Sequence, residues 1–209
     1  MVISDDWIWL HFPKAGGTTT EQILKTTFKD RPDVQFDNLD DKTNPIWHQS
    51  LSERRQHNQK IVRTNKLVFA NIRRLPAWLL SRIHFEIQRH GKPSEIAREQ
   101  IIQGRFKVIT SAKSDGMQAR IVSADTVMSK FSKDVSRWIR VERLHKDLQD
   151  AFGIQESEAL FRGRSNETKL GYVKNPRFWF TKNEIRLIYA CNPVWAGIER
   201  EVYGDTLAD

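Results

Sequence analysis

The chain has 209 residues, of which 39% are hydrophobic and 29% are charged, and its net charge at neutral pH is +8. This composition is typical of a soluble globular protein, and the length favours one domain spanning residues 1–209. The positive charge favours an anionic partner such as a nucleotide, an acidic sugar, nucleic acid or an acidic membrane surface, without choosing among them.

A single cysteine, Cys191, excludes an internal disulfide bond and indicates a reducing compartment. The first residues include Asp5 and Asp6 and lack the basic and apolar regions of a signal peptide. No apolar run has the length of a transmembrane helix. We therefore expect a cytoplasmic protein without a membrane span.

Apolar runs and helical patterns alternate along the chain. The patterns predict strands at 8–12, 66–73 and 138–141, and helices at 19–28, 51–59, 78–89, 94–104, 118–123, 144–152 and 181–191. Such an alternation predicts an α/β fold with a mostly parallel central sheet flanked by helices.

The most specific motif, residues 13–20 with the sequence Pro-Lys-Ala-Gly-Gly-Thr-Thr-Thr, lies between the first strand and the first helix. Backbone N–H groups at a helix N-terminus bind anions, and the helix dipole adds partial positive charge there. Lys14 adds a full charge, and Gly16 and Gly17 let the backbone approach a ligand closely. The segment therefore predicts a phosphate or sulfate site.

The order of residues in this loop excludes two common nucleotide motifs. In the Walker loop the lysine follows the last glycine, whereas Lys14 precedes both glycines. The dinucleotide motif needs a third, spaced glycine. The loop instead resembles the 5′-phosphosulfate loop of sulfotransferases, chiefly the carbohydrate-type and bacterial ones.

That resemblance implies a P-loop-like sulfotransferase fold and an enzyme that uses 3′-phosphoadenosine-5′-phosphosulfate as co-substrate and releases adenosine 3′,5′-bisphosphate. It implies that Lys14 serves the leaving oxygen and that the loop holds the 5′-phosphate. The donor-binding residues implied there are Lys14, Ala15, Gly16, Gly17, Thr18 and Thr19. No metal is required, and no convincing metal-ligand spacing is present in the sequence.

A second segment follows the strand predicted at 66–73. Sulfotransferases carry an arginine here, with a serine eight residues later, and both hold the 3′-phosphate of the donor. Arg73 and Ser81 reproduce that step, and guanidinium groups bind phosphate in a bidentate manner. The neighbouring Arg74, where the family has Asp or Asn, is an alternative ligand.

Weaker similarities to the family cover most of the remaining chain. Residues 114–123 resemble a segment that lines the acceptor side, 138–148 a strand-to-helix segment, 164–168 a late polar loop and 180–204 the family's final part. Within the second of these, we interpret Glu142 and Asp147 as structural, through their charge at a helix N-terminus.

His48 is the candidate catalytic base. In some carbohydrate sulfotransferases a histidine between the first loop and the arginine strand has this role, and His48 occupies that interval. Histidine titrates near neutrality and can accept a hydroxyl proton. Glu21 and Asp115 are reserve candidates, and we expect His11 to serve core packing.

Two other classes of function remain open. A non-catalytic basic nucleotide- or nucleic-acid-binding protein would use the positive charge together with Trp47, Trp78 and Trp138 for stacking. However, no basic tract is present and these tryptophans lie in apolar patterns, so we do not expect nucleic acid as partner. A kinase-like phosphotransferase is disfavoured by the missing Walker lysine. The expected acceptor is a small molecule or a carbohydrate, and the sequence leaves the oligomeric state open.

Overall fold

The computed structural model describes residues 1–37, 48–57, 65–90, 96–112, 116–154 and 171–209. The strands are β1 (Val2–Ile3), β2 (Trp7–Leu10), β3 (Gln35–Phe36), β4 (Leu67–Ile72), β5 (Arg105–Ala112), β6 (Gly116–Ser123) and β7 (Arg137–Arg140). The helices are α1 (Gly17–Phe28), α2 (Leu51–His57), α3 (Leu75–His90), α4 (Arg98–Ile101), α5 (Ala124–Ser132), α6 (Leu144–Phe152), α7 (Pro176–Trp179), α8 (Lys182–Ala190) and α9 (Pro193–Tyr203).

A five-stranded sheet with the order β3-β1-β2-β4-β7 confirms the α/β class. Strands β2, β4 and β7 are parallel, but β1 pairs antiparallel with both β2 and β3, so the sheet is mixed rather than mostly parallel. The reason is the short turn at residues 4–6, where the Ser4 hydroxyl accepts a hydrogen bond from the Trp7 N–H at 3.1 Å. Such a turn joins antiparallel strands, whereas parallel neighbours need a long crossover.

The chain divides into two compact units, Met1–Arg73 with Lys130–Glu167 and Arg74–Ser129 with Thr168–Asp209. The first unit holds the five-stranded sheet with α1, α2 and α6. Its core lies where α1 and α6 cover the sheet, and its buried residues include Trp9, Phe69, Ile139, Leu24 and Leu148. This core fixes the parallel strands from which the candidate site is built.

The second unit is organised around α3, the β5–β6 hairpin and the C-terminal helices. The Trp78 ring lies 5.2 Å from the Phe106 ring and 4.6 Å from the Trp195 ring, and all three side chains are buried. Trp78 is thus a core residue rather than a surface for stacking bases. The helix predicted at 118–123 is wrong, because these residues form part of β6, in which Val122 pairs with Phe106.

Several predicted helix ends are confirmed. The Thr181 hydroxyl accepts from the Glu184 N–H at 3.2 Å, and the Glu184 carboxylate accepts from the Thr181 N–H at 2.8 Å, which forms the expected capping box of α8. Helix α6 ends at Gly153, as predicted. Of the helix predicted at 94–104, only Arg98–Ile101 is helical among the described residues. None of the described helices has both the length and the apolar character needed to cross a membrane.

Candidate functional site

The loop between β2 and α1 has an unusual backbone. Lys14 has a φ of 60° and Gly16 a φ of 72°, so both adopt the left-handed conformation. For a residue with a side chain this conformation costs roughly 1–2 kcal/mol. Strain of this kind is often retained at functional sites, because it shapes the backbone around a ligand. Here the strained residue is Lys14, which the motif assigns to the leaving oxygen.

The positive end of α1 meets this loop. Gly16 is the N-cap residue and has no side chain to accept hydrogen bonds from the first N–H groups of the helix, and its first turn contains no acid. Thr18 and Thr19 lie half-buried in that turn, and Ala15 is buried. The predicted donor-binding residues from 14 to 19 are therefore consecutive around an N-terminus suited to an anion.

A buried hydrogen-bond chain attaches the loop to the sheet. The Trp9 indole N–H donates to Asn71 Oδ1 at 2.9 Å, and Asn71 Nδ2 donates to Thr20 Oγ1 at 2.7 Å. The Thr20 hydroxyl in turn donates to the Gly16 carbonyl at 3.3 Å. The role of Asn71 was not predicted, although a polar residue within the apolar run of β4 was a signal for it.

His11 lies directly behind the loop. Its ring occupies the space beside Gly17, so that a Cβ atom at position 17 would lie 2.1 Å from His11 Cδ2 and Nε2. The side chain is buried, and burial lowers the pKa of His11, which keeps the imidazole neutral. The expectation that His11 is a packing residue is thus in line with its position, but the surface it packs against is the loop itself.

Glu21 holds His11 from the first turns of α1. Its Oε2 lies 3.5 Å from His11 Nδ1, and its Oε1 lies 3.0 Å from Lys25 Nζ. Burial would raise the pKa of Glu21, but its interactions with His11 and Lys25 outweigh burial and lower the pKa. With 2% of its surface exposed, this carboxylate is directed toward His11 and Lys25. These contacts argue against Glu21 as the base.

His48 lies beside His11, although the two are 37 residues apart in the sequence. Its Nδ1 lies 3.1 Å from the carbonyl oxygen of His11, and the two rings meet edge to face at 4.7 Å. Because a carbonyl only accepts, this contact requires a proton on Nδ1. In the neutral imidazole of this tautomer Nε2 is the acceptor, which is the form that a base needs. Asp115, the other reserve candidate, lies outside the described residues.

Arg73 and Arg74 have different environments. Strand β4 ends at Ile72 and runs parallel to β2. The half-buried Arg73, which comes directly after β4, therefore lies at the same edge of the sheet as the loop. Arg74 belongs to the second unit, where its guanidinium binds Glu199 at 3.2 Å and Asp205 at 2.6 Å. Arg74 is thus bound to two carboxylates of the second unit, and Arg73, by its position at the strand end beside the loop, is the candidate for a phosphate ligand.

Ser81 lies within the second turn of α3. Its side chain is buried, with 5% of the residue exposed. Arg73 and Ser81 belong to different compact units. Of the two predicted 3′-phosphate ligands, only Arg73 is therefore part of the unit that carries the loop.

Asp147 is structural, as interpreted. Its carboxylate accepts from the Arg140 backbone N–H at 2.8 Å and from the Arg140 guanidinium at 2.8 and 2.7 Å. Burial would raise the pKa of Asp147, but these bonds outweigh it and lower the pKa. The Arg140–Asp147 pair fixes the turn after β7. In that turn, the Val141 side chain lies 3.6 Å from the point where a Cβ atom on Gly16 would be, so it packs beside the loop.

Within the described ranges, no group of three or more His, Cys, Asp or Glu side chains is arranged to hold a metal ion. No protein-family model, no curated protein and no solved structure matches the chain.

Proposed function

We propose that the protein is a sulfotransferase that moves a sulfuryl group from 3′-phosphoadenosine-5′-phosphosulfate to an acceptor hydroxyl. The observation that carries this proposal is the loop: Lys14 and Gly16 in the left-handed conformation, at an α1 N-terminus without an acid in its first turn. The proposal includes a P-loop-like core built on the parallel strands of the first unit. It also includes a cytoplasmic location and a small molecule or carbohydrate as acceptor.

The donor carries phosphate groups at two ends, and the first unit offers cations for both. Lys14 and the N–H groups of residues 16–19 would hold the 5′-phosphate, with Thr18 and Thr19 adding hydroxyl contacts. Arg73, after the neighbouring parallel strand, would bind the 3′-phosphate in a bidentate manner. Ser81 remains part of the proposal through the sequence motif alone.

In the proposed reaction the acceptor oxygen attacks sulfur in line with the bond that breaks. A new S–O bond forms while the bond from sulfur to the bridging oxygen of the donor breaks, and the electron pair stays on the 5′-phosphate. His48 Nε2 takes the proton of the acceptor hydroxyl. The Lys14 ammonium stabilises the negative charge that develops on the leaving oxygen.

Binding of adenosine 3′,5′-bisphosphate, measured by calorimetry, tests the proposal. We expect Lys14→Ala to weaken binding by about 10- to 100-fold, because a hydrogen bond to a charged group contributes about 1.5–3 kcal/mol. The matched control is Lys29→Ala, which removes an exposed lysine at the other end of α1. Tighter binding of ATP or DNA than of the bisphosphate would contradict the proposal and favour the nucleotide- or nucleic-acid-binding alternative.

Replacement of His48 by alanine tests the base. We expect turnover to fall by about 10²–10⁴-fold, the usual contribution of a general base. Affinity for the bisphosphate should stay nearly unchanged, since His48 is assigned to the acceptor side. His145→Ala, which removes an exposed histidine of α6, is the control. Wild-type turnover in the His48 variant would refute this role while leaving donor binding intact.

A further inference from the structure

The second unit contains an open groove of about 610 Å³ between α8 and α9. Its cations are Lys182 and Arg186 on α8 and Arg200 on α9. The same groove is lined by three small apolar residues, Ala190, Pro193 and Ala196, of which Ala196 is buried. The groove thus combines three cations with small apolar side chains.

The two cations of α8 are placed at a local energetic cost. Lys182 is the first residue of the helix and so faces the positive end of its dipole, and Arg186 follows one turn later on the same face. Like charges at this spacing destabilise a helix. Residues that oppose local preferences often mark a functional site.

Glu184 is committed to other partners, whereas Asp209 pairs with one cation of the groove. Glu184 closes the capping box with Thr181, and its Oε1 accepts from the Arg98 guanidinium at 2.9 Å. Asp209 accepts from the Thr206 N–H at 2.7 Å and lies 3.9 Å from Arg200 Nε. As far as the described residues extend, Asp209 is the one acid that lines the groove, against three cations.

The small apolar side chains could contact the carbon skeleton of a ligand. Ala190, Pro193 and Ala196 line the groove together with the cations, and the Tyr189 hydroxyl donates to Glu199 at 2.6 Å and so is not offered to a ligand. Small-molecule sites usually combine apolar side chains with a few polar groups. The three cations would select an anionic ligand.

We propose that this groove binds a compact organic ligand that carries a phosphate or sulfate ester, with the ester held by Lys182, Arg186 and Arg200 and the carbon skeleton against Ala190, Pro193 and Ala196. The proposal does not depend on sulfuryl transfer. Two sources share this chemistry, a sugar ester and a nucleotide, and they are separated by the probes used.

Calorimetry on the full chain at low ionic strength tests the groove with glucose 6-sulfate, glucose 6-phosphate, adenosine 5′-monophosphate and uncharged glucose. We expect at least one ester to bind and glucose not to bind. Arg186→Ala and Lys182→Ala should each weaken the ester by about tenfold, since each removes a charged contact. Both side chains are exposed, so the variants should fold like the wild type.

Two control variants make the result specific. Arg120→Ala removes an exposed cation of β6 that does not line the groove, and Lys14→Ala alters the loop of the first unit. Neither should change the binding of glucose 6-sulfate or glucose 6-phosphate, whereas adenosine 5′-monophosphate can also bind at the Lys14 loop and is compared only between the groove variants and the wild type. Absence of binding by every ester, an equal loss in Arg120→Ala, or a loss in Lys14→Ala with none in Arg186→Ala would each overturn the proposal. Since the sulfotransferase proposal is tested by the bisphosphate, the two can fail separately.

Discussion

Alanine at position 17 is expected to abolish binding of adenosine 3′,5′-bisphosphate and to lower the free energy of unfolding by about 1–3 kcal/mol, the usual cost of overpacking. The cause is the 2.1 Å distance between the added Cβ and the His11 ring atoms Cδ2 and Nε2. Real Cβ atoms do not approach other atoms so closely, so either the ring or the loop has to move.

His11 has little freedom to move. It is 7% exposed, its Nδ1 lies 3.5 Å from Glu21, and its ring contacts those of Trp9 and His48 at 5.3 and 4.7 Å. The loop is therefore expected to shift, which displaces the N–H groups at the start of α1 from the donor phosphate. A misplacement of about 1 Å in such a site costs on the order of 100-fold in function.

Two further variants separate this effect from a general effect of alanine. Gly197→Ala in α9 adds a Cβ with nothing within 4 Å, and it should stabilise the protein by up to about 1 kcal/mol. His11→Ala combined with Gly17→Ala should lose less stability than the sum of the single changes, because the smaller side chain makes room. Urea denaturation and calorimetry measure both quantities. Full bisphosphate affinity in Gly17→Ala would show that the His11 contact does not position the loop.

Strong local patterns were sufficient to predict the central elements. The apolar runs of β2 and β4 and the helical spacing of α1 and α6 gave their positions to within about three residues. The pairs formed by β1 and β3 were not predicted, because two-residue strands carry no periodic signal. Residues 118–123 of β6 were predicted as a helix because the local pattern does not show that they pair with β5. That pairing determines their conformation.

In the candidate site, too, local features were predicted and contacts between distant residues were not. Lys14, Gly16 and Gly17 were predicted because their chemistry lies in consecutive residues. The contacts of His11 with Gly17 and His48 were not predicted, since they join residues that only the fold brings together. The ion pairs of Arg74 depend on the C-terminal segment more than 120 residues away, beyond any local pattern.

Glu199 connects three parts of the second unit and is fully buried. Its Oε1 accepts from the Tyr189 hydroxyl at 2.6 Å and from the Arg74 guanidinium at 3.2 Å. Its Oε2 accepts from the Leu75 N–H at 2.8 Å, at the start of α3. Removal of this carboxylate leaves the Tyr189 hydroxyl and the Leu75 N–H without this acceptor, while Arg74 keeps Asp205. Because each unsatisfied buried donor costs about 1–3 kcal/mol, Glu199→Ala should cost about 2–6 kcal/mol of stability.

The same group is expected to make stability depend on pH. Burial raises the pKa of Glu199 from 4.5 to about 7, although the hydrogen bonds from Tyr189, Leu75 and Arg74 oppose the rise. Between pH 4.5 and about pH 7, Glu199 therefore keeps its proton in the folded state and has lost it in the unfolded state. Stability therefore falls as the pH rises from 4.5 to 7, by about 3 kcal/mol in total, and stays constant above 7 as far as this group is concerned.

Glu199→Gln isolates this contribution, because the amide keeps the shape and does not titrate. The difference in unfolding free energy between the wild type and the variant, measured by urea denaturation at several pH values, should change in favour of the variant between pH 4.5 and 7. Glu201→Gln, which alters an exposed carboxylate on the same helix, should give a nearly constant difference from the wild type. Parallel pH curves for the wild type and Glu199→Gln would mean that the hydrogen bonds of the carboxylate compensate its burial. Glu199 would then be ionised throughout this range and would act as a permanent counter-ion for Arg74.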